Sequence, residues 1–118
     1  MGIFTIELSS RHAEWRRFKV RLMCEMQDSS GERSGFVSSE QKHDGVCVLQ
    51  TGNCASVRTL VYVIPESLPA ERRVYLMPEF AARLRVECDG RVICDEELPI
   101  NHWGGTSIER HYDSTEKS

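Results

Sequence analysis

The chain has 118 residues, which suits one domain with a buried core and is too short for two domains of ordinary size. Apolar residues make up 40% and charged residues 28% of the sequence, a balance typical of globular proteins that argues against general disorder. The net charge of −3 argues against a dedicated nucleic-acid-binding domain, which normally carries a basic excess.

Two further features bear on the compartment. No stretch approaches the ~20 consecutive apolar residues that span a bilayer, and the alternating N-terminus lacks the basic start and apolar run of a signal peptide. The five cysteines are an odd number at uneven spacing, which fits reduced thiols better than a disulfide framework. We therefore predict a cytoplasmic protein without membrane contact, with thiols packed in the core at Cys24, Cys47, Cys54, Cys88 and Cys94.

The first two predicted strands show a period of two residues. Phe4, Ile6 and Leu8 alternate with polar residues near the N-terminus, and apolar residues again fall on alternate positions from 18 to 26. This pattern predicts strands with one face on the core and the other toward water. The intervening segment 9–17 lacks an apolar stripe and is predicted to be a loop.

The segment 27–45 is polar and has no periodicity, so we predict a long loop with one short strand around Phe36 and Val37. Loops of this length are uncommon in compact domains and are usually functional or mobile. A short strand at 46–50 and a turn at 51–53 follow.

The segment 57–64 is rich in β-branched residues and apolar on both faces, which predicts a central strand. A connecting loop with two prolines is expected at 65–71, and another short strand at 72–77.

A β-hairpin is predicted at 80–98, with an Asp-Gly turn at 89–90. Two registers compete. A two-residue turn pairs Cys88 with Arg91, whereas a three-residue turn with the glycine in the left-handed region pairs Glu87 with Arg91.

The three-residue turn is preferred because it places opposite charges face to face, with Arg83 opposite Asp95 and Glu87 opposite Arg91. Ile93 then lies on the polar face. The shared apolar face contains Leu84, Val86, Val92 and Cys94.

The last strand is predicted at 106–112, with Ile108, Arg110 and Tyr112 on one side. Seven to eight short strands separated by turns indicate an all-β protein: a single small antiparallel β-sandwich at 1–112, with a small β-barrel as the alternative. A flexible polar tail is expected at 113–118.

The candidate binding site is the loop of Asn101, His102, Trp103, Gly104 and Gly105. An indole can stack on a ligand, an imidazole can form a hydrogen bond to it, and glycines allow close backbone approach. The alternative is that Trp103 covers the end of the core while the glycines turn the chain.

A metal site at His43, Cys47 and Cys54, completed by Cys24 or His102, is only weakly indicated because no Cys-x-x-Cys or His-x-x-x-His pair occurs. The sequence also lacks a nucleophile elbow, a phosphate-binding loop and a dinucleotide fingerprint. We therefore predict no cofactor and no enzymatic activity, with a small zinc or thiol enzyme as the least favoured alternative.

The basic residues Arg17, Lys19 and Arg21 lie near Trp15 and Phe18, a combination that some single-strand-binding proteins use. A solvated strand face is the preferred interpretation, because Phe18 belongs to the apolar face. Met23 and Ile93 are apolar residues left on otherwise polar faces, and they would mark a protein interface if those faces coincide.

The leading functional prediction is a non-enzymatic protein–protein interaction module: an accessory, adaptor, inhibitor or assembly component. Its contact residues are expected at 27–45 and 101–105, with Trp103 as the main binding residue. The partner is another protein, with a homodimer also compatible and nucleic acid excluded. The alternative is a small-molecule or carbohydrate-binding domain that uses His102 and Trp103.

Overall fold

Eight β-strands account for most of the residues that the structure describes. It is a computed structural model, and it describes residues 2–11, 15, 18–40, 46–65, 79–101 and 105–114, without the side chains of 79, 80 and 101. The strands are β1 (Gly2–Ser9), β2 (Phe18–Gln27), β3 (Arg33–Glu40), β4 (Val46–Cys54), β5 (Ser56–Pro65), β6 (Glu79–Cys88), β7 (Arg91–Asn101) and β8 (Thr106–Asp113).

The strands form two four-stranded sheets, in the orders β4-β1-β6-β7 and β3-β2-β5-β8. All neighbouring strands are antiparallel. The two sheets pack face to face around one core, so the predicted antiparallel β-sandwich is confirmed. The described strands do not close into a barrel.

The core consists of the inward-facing side chains of both sheets. On β1, Phe4, Ile6 and Leu8 are fully buried, as the period of two predicts. Trp15 is only 1% exposed, and its ring centroid lies 6.5 Å from that of Phe18. Burying one such large apolar side chain contributes about 1.5–3 kcal/mol. Both aromatic residues near the basic stripe are therefore core residues and do not form a stacking surface.

The long loop predicted at 27–45 is wrong over most of its length. The chain turns tightly after β2, where Oδ1 of Asp28 accepts hydrogen bonds from the backbone amides of Ser30 at 2.9 Å and Glu32 at 3.1 Å. Strand β3 then runs antiparallel to β2. Because β3 is an edge strand with five of its eight residues exposed, it needs few apolar side chains and shows no periodicity in the sequence. Residues 41–45 lie outside the described part.

The turn predicted at 51–53 is also wrong, because β4 continues to Cys54. A bulge allows this continuation: Ile3 lies opposite Asn53, but Thr5 lies opposite Gln50. Thr51 is buried there, and its hydroxyl oxygen accepts a hydrogen bond from the Phe4 amide at 3.0 Å. The glycine and polar residues of this stretch therefore belong to a bulge.

The hairpin uses the two-residue turn, so the preferred three-residue register is wrong. Asp89 and Gly90 have φ angles of 53° and 82°, as a type I′ turn requires, and Cys88 pairs with Arg91. A bulge near the turn makes Ile93 the extra residue of β7, and its side chain is only 9% exposed. Ile93 is therefore a core residue, and it does not share a surface with Met23.

The bulge also rearranges the charges on the outer face of the hairpin. Arg83 still pairs with Asp95, through hydrogen bonds of 2.8 and 2.5 Å, although Arg85 is the residue opposite Asp95 in the register. Glu87 lies opposite Val92 and forms an ion pair with Arg85 at 2.9 Å. The predicted Arg83–Asp95 contact is confirmed, and the predicted Glu87–Arg91 register is wrong.

The last strand, β8, contacts the other sheet through a side chain. As predicted, Ile108, Arg110 and Tyr112 share its inner side. Arg110 donates a hydrogen bond to Glu96 of β7 at 2.8 Å, and β8 ends at Asp113. Pro65 ends β5, and the remainder of the predicted loop and the strand at 72–77 lie outside the described residues, as do 115–118. No helix in the described part of the chain is long and apolar enough to cross a bilayer.

Candidate functional site

The predicted binding loop begins and ends at described residues. Asn101 ends β7, and Gly105 is exposed immediately before β8. His102, Trp103 and Gly104 lie outside the described residues, as does the side chain of Asn101. A Cβ built on Gly105 would lie 3.8 Å from Cγ1 of Ile64. The loop therefore joins β8 beside Ile64, on the outer face of the β3-β2-β5-β8 sheet.

A groove of about 370 Å³ lies on this outer face; we call it the β2–β5 groove. The strand register creates it, because Lys19 lies opposite Ile64 and Arg21 lies opposite Tyr62 on the neighbouring strand. The described residues that line it are Lys19, Arg21, Met23, Tyr62 and Ile64.

The floor of the groove is apolar. Ile64 is 50% exposed, more than any other large apolar side chain among the described residues, and Met23 and Tyr62 are half-buried. Leu60 lies opposite Met23 and continues the apolar surface along β5. The exposed Ile64 thus adjoins half-buried apolar side chains on both strands, whereas the common exposed apolar residue stands alone.

The sequence contained a signal for this surface. The segment 57–64 is apolar on both faces and was predicted to be a central strand. Its central position is confirmed, since β2 and β8 flank it. Only one of its faces is on the core, however; Leu60, Tyr62 and Ile64 point to the outer side. The apolar residues of the second face are thus partly exposed to solvent.

Two cations border the apolar floor. Lys19 is exposed, and Nη2 of Arg21 lies 2.8 Å from Oε1 of Glu40 on β3. The hydrogen bond from Arg21 lowers the pKa of Glu40. Such exposed ion pairs contribute about 0–1 kcal/mol, so a ligand carboxylate can replace Glu40 at little cost. The exposure of Lys19 and Arg21 agrees with the predicted solvated strand face. Arg17 lies outside the described residues.

The outer face of the other sheet differs in character. Its groove of about 760 Å³ is lined mainly by polar and charged residues. Val48 and Ile3 are 46% and 41% exposed, but Val48 lies opposite Glu7 while Ile3 lies at the far end of β1, opposite Asn53. Its apolar residues are therefore dispersed.

Cys47 and Cys54, two of the weak metal candidates, do not converge. Cys47 and Cys54 are seven residues apart on the same strand, which separates them by roughly 20 Å at about 3.3 Å per residue. Two ligands of one zinc ion must each lie about 2.3 Å from it. His43 lies outside the described residues, and no group of three metal-ligating side chains occurs among the described ones.

The thiols are also poor nucleophiles. None of the five cysteines forms a disulfide, and all except the half-buried Cys94 are buried. Burial raises the pKa of the Cys24 thiol to about 11, and it also raises the pKa values of Cys54 and Cys88. Because the thiolate is the reactive form, these cysteines behave as small apolar core residues.

Two solved structures share the fold. The chain is similar to a domain of unknown function, DUF4425, from Bacteroides vulgatus ATCC 8482, with a TM-score of 0.64 and 14% identity over 95% of each chain. It is also similar to a DUF4425 family protein from Bacteroides ovatus ATCC 8483, with a TM-score of 0.56 and 14% identity over 99% of this chain and 98% of that one. No protein-family model and no curated protein matches the sequence. The likeness shows the β-sandwich fold alone.

Proposed function

We propose that the chain is a non-enzymatic protein–protein interaction module that binds its partner with the outer face of the β3-β2-β5-β8 sheet. The observation that carries this proposal is the β2–β5 groove, where Met23, Tyr62 and Ile64 form a partly exposed apolar floor beside two cations. Tyrosine and arginine are enriched among the residues that dominate binding energy at protein interfaces. An apolar area with charged residues beside it fits a contact surface of this kind.

Described residues of both segments in which the sequence predicted contacts, 27–45 and 101–105, border this face. Phe36 on β3 is 46% exposed and lies opposite Glu25, and the guanidinium of Arg33 is 5.4 Å from the centre of its ring. Gly105 lies against Ile64 at the other side of the sheet. A partner seated on the groove would therefore reach Gly105 and β3 together.

The alternative ligands are less well supported. Binding of a small molecule or carbohydrate at Asn101–Gly105 stays a prediction, because the side chains that would carry it lie outside the described residues. A zinc or thiol enzyme built on Cys47 and Cys54 is disfavoured by their separation on β4 and by their burial.

Site-specific cross-linking tests the proposal. A photoreactive amino acid at position 64 should form a covalent adduct with a protein partner in an extract of the source cells. The matched control is position 48, since Val48 is 46% exposed on the outer face of the other sheet. Equal adducts at both positions, or none at position 64, would contradict the proposed surface.

A further inference from the structure

The β2–β5 groove has two cations in its lining. Among the described residues, the lining contains Lys19 and Arg21 but neither aspartate nor glutamate. Glu40, which pairs with Arg21, approaches from β3 and is not part of the lining. Together with Glu40, Lys19 and Arg21 leave one net positive charge beside the groove, in a chain whose net charge is −3. This charge would attract an anionic group.

A second copy of the chain fits this groove poorly. In a two-fold symmetric dimer the same surface meets itself, so Lys19 and Arg21 of both copies would be brought together. Like charges held close at an interface are unfavourable. Five described residues line the groove, whereas a standard interface involves about 20–30 residues on each partner. The size of the groove suits one or two side chains of a short segment.

We infer that the occupant of the groove is an extended segment of a partner protein that carries a large apolar side chain next to carboxylates. This inference rests on the proposed function and specifies the chemistry of the partner. The apolar side chain packs on Tyr62 and Ile64. The carboxylates accept hydrogen bonds from Lys19 and from the guanidinium of Arg21, whose planar fork suits bidentate binding.

Phage display tests the inference. Peptides are selected from a random library, with the full chain as the bait. The enriched peptides should combine an aliphatic or aromatic residue with aspartate or glutamate. Their affinity, measured by fluorescence anisotropy on synthetic peptides, should fall as salt concentration rises, because salt screens exposed charges.

Charge reversal locates the peptide site. The double variant Lys19→Glu with Arg21→Glu should bind the selected peptides about tenfold more weakly or worse, as expected for loss of two charge-assisted contacts. Arg83→Glu is the matched control, because Arg83 is also an exposed arginine in a cross-strand ion pair, on the other sheet. Thermal unfolding of each variant checks that the fold is retained.

Four outcomes would overturn the inference. Peptides without acidic residues, or binding that the double variant leaves unchanged, would show that the cations do not select the ligand. A wild-type dimer that Ile64→Ser dissociates would show that the occupant is a second copy. Failure to enrich any peptide would reject a short segment as the ligand. Cross-linking at position 64 is independent of partner charge, so the proposed function would stand or fall separately.

Discussion

Arg21 on β2 and Tyr62 on β5 lie directly opposite each other on the outer face of their sheet. The neighbouring pair on that face is Lys19 and Ile64. Cationic side chains of β2 are therefore adjacent to apolar side chains of β5 on this face. In these two pairs, β2 supplies both cations and β5 both apolar side chains. A protein segment bound there would gain both apolar burial and charge-assisted hydrogen bonds.

The two tryptophans are expected to have different roles. Trp15→Ala should lower the free energy of unfolding by about 3–5 kcal/mol, because it leaves a cavity where a ring only 1% exposed had packed. Urea unfolding followed by circular dichroism measures this loss.

Trp103→Ala should keep the stability and abolish partner binding, as predicted for the main binding residue. Equal loss of folding and binding in Trp103→Ala would show instead that Trp103 belongs to the core.

Ile93 and Met23, which the sequence left on polar faces, should also respond differently to truncation. Ile93→Ala should lower the free energy of unfolding by about 2 kcal/mol or more, since the bulge turns this side chain into the core. Met23→Ala should cost less, because Met23 is only half-buried on the outer face. Denaturant unfolding of both variants measures the difference; similar losses would contradict the register of the hairpin.

Strands with one buried face were easier to predict from the sequence than strands that are mostly exposed. The half-buried strands β1 and β2 and the inner side of β8 were predicted correctly, because their inward residues alternate with polar ones. The edge strand β3 was predicted only as a short strand around Phe36 and Val37, since these two residues are too few to show a period. The rest of β3 was assigned to a loop.

The two bulges account for the other errors. At Thr51 and Ile93 an extra residue shifts the register, and nothing in the local sequence distinguishes such a residue from a turn or from a regular strand position. The groove was only partly predictable. Lys19, Arg21 and Met23 were recognised on one strand face, but their neighbours Tyr62 and Ile64 depend on the pairing of β2 with β5.

The hairpin turn provides a test of backbone geometry. Gly90→Ala should lower the free energy of unfolding by about 1–2 kcal/mol, because a φ of 82° is strained for a residue with a Cβ. Gly52→Ala is the control: it lies in β4, and a Cβ built there meets no atom within 4 Å. Its stability should change by less than about 0.5 kcal/mol. Equal effects in the two variants, measured by thermal unfolding, would contradict the two-residue turn.

Stability should decrease at alkaline pH. Burial raises the pKa of Cys24 from 9.0 to about 11, so the folded state favours the neutral thiol. The stability that this thiol contributes is complete below pH 9 and is lost as the pH rises through about 11, because the unfolded chain releases the proton first. Burial acts in the same direction on Cys54 and Cys88.

Urea unfolding between pH 9 and pH 11 measures this loss. The control variant Cys24→Ala, which has no thiol at this position, should show a smaller decrease in stability over the same interval. A decrease as steep as that of the wild type would mean that Cys24 does not contribute to the alkaline transition.

The central claim is that one outer face of the sandwich binds a partner protein. Cross-linking at position 64 identifies that partner, and the affinity of Ile64→Ser for it tests the claim most directly. Titration calorimetry should show binding about tenfold weaker than that of the wild type or worse, because the substitution removes the most exposed apolar side chain of the groove floor. Val48→Ser, the matched substitution on the other sheet, should bind as tightly as the wild type. Wild-type affinity in Ile64→Ser, or equal weakening in both variants, would contradict the claim.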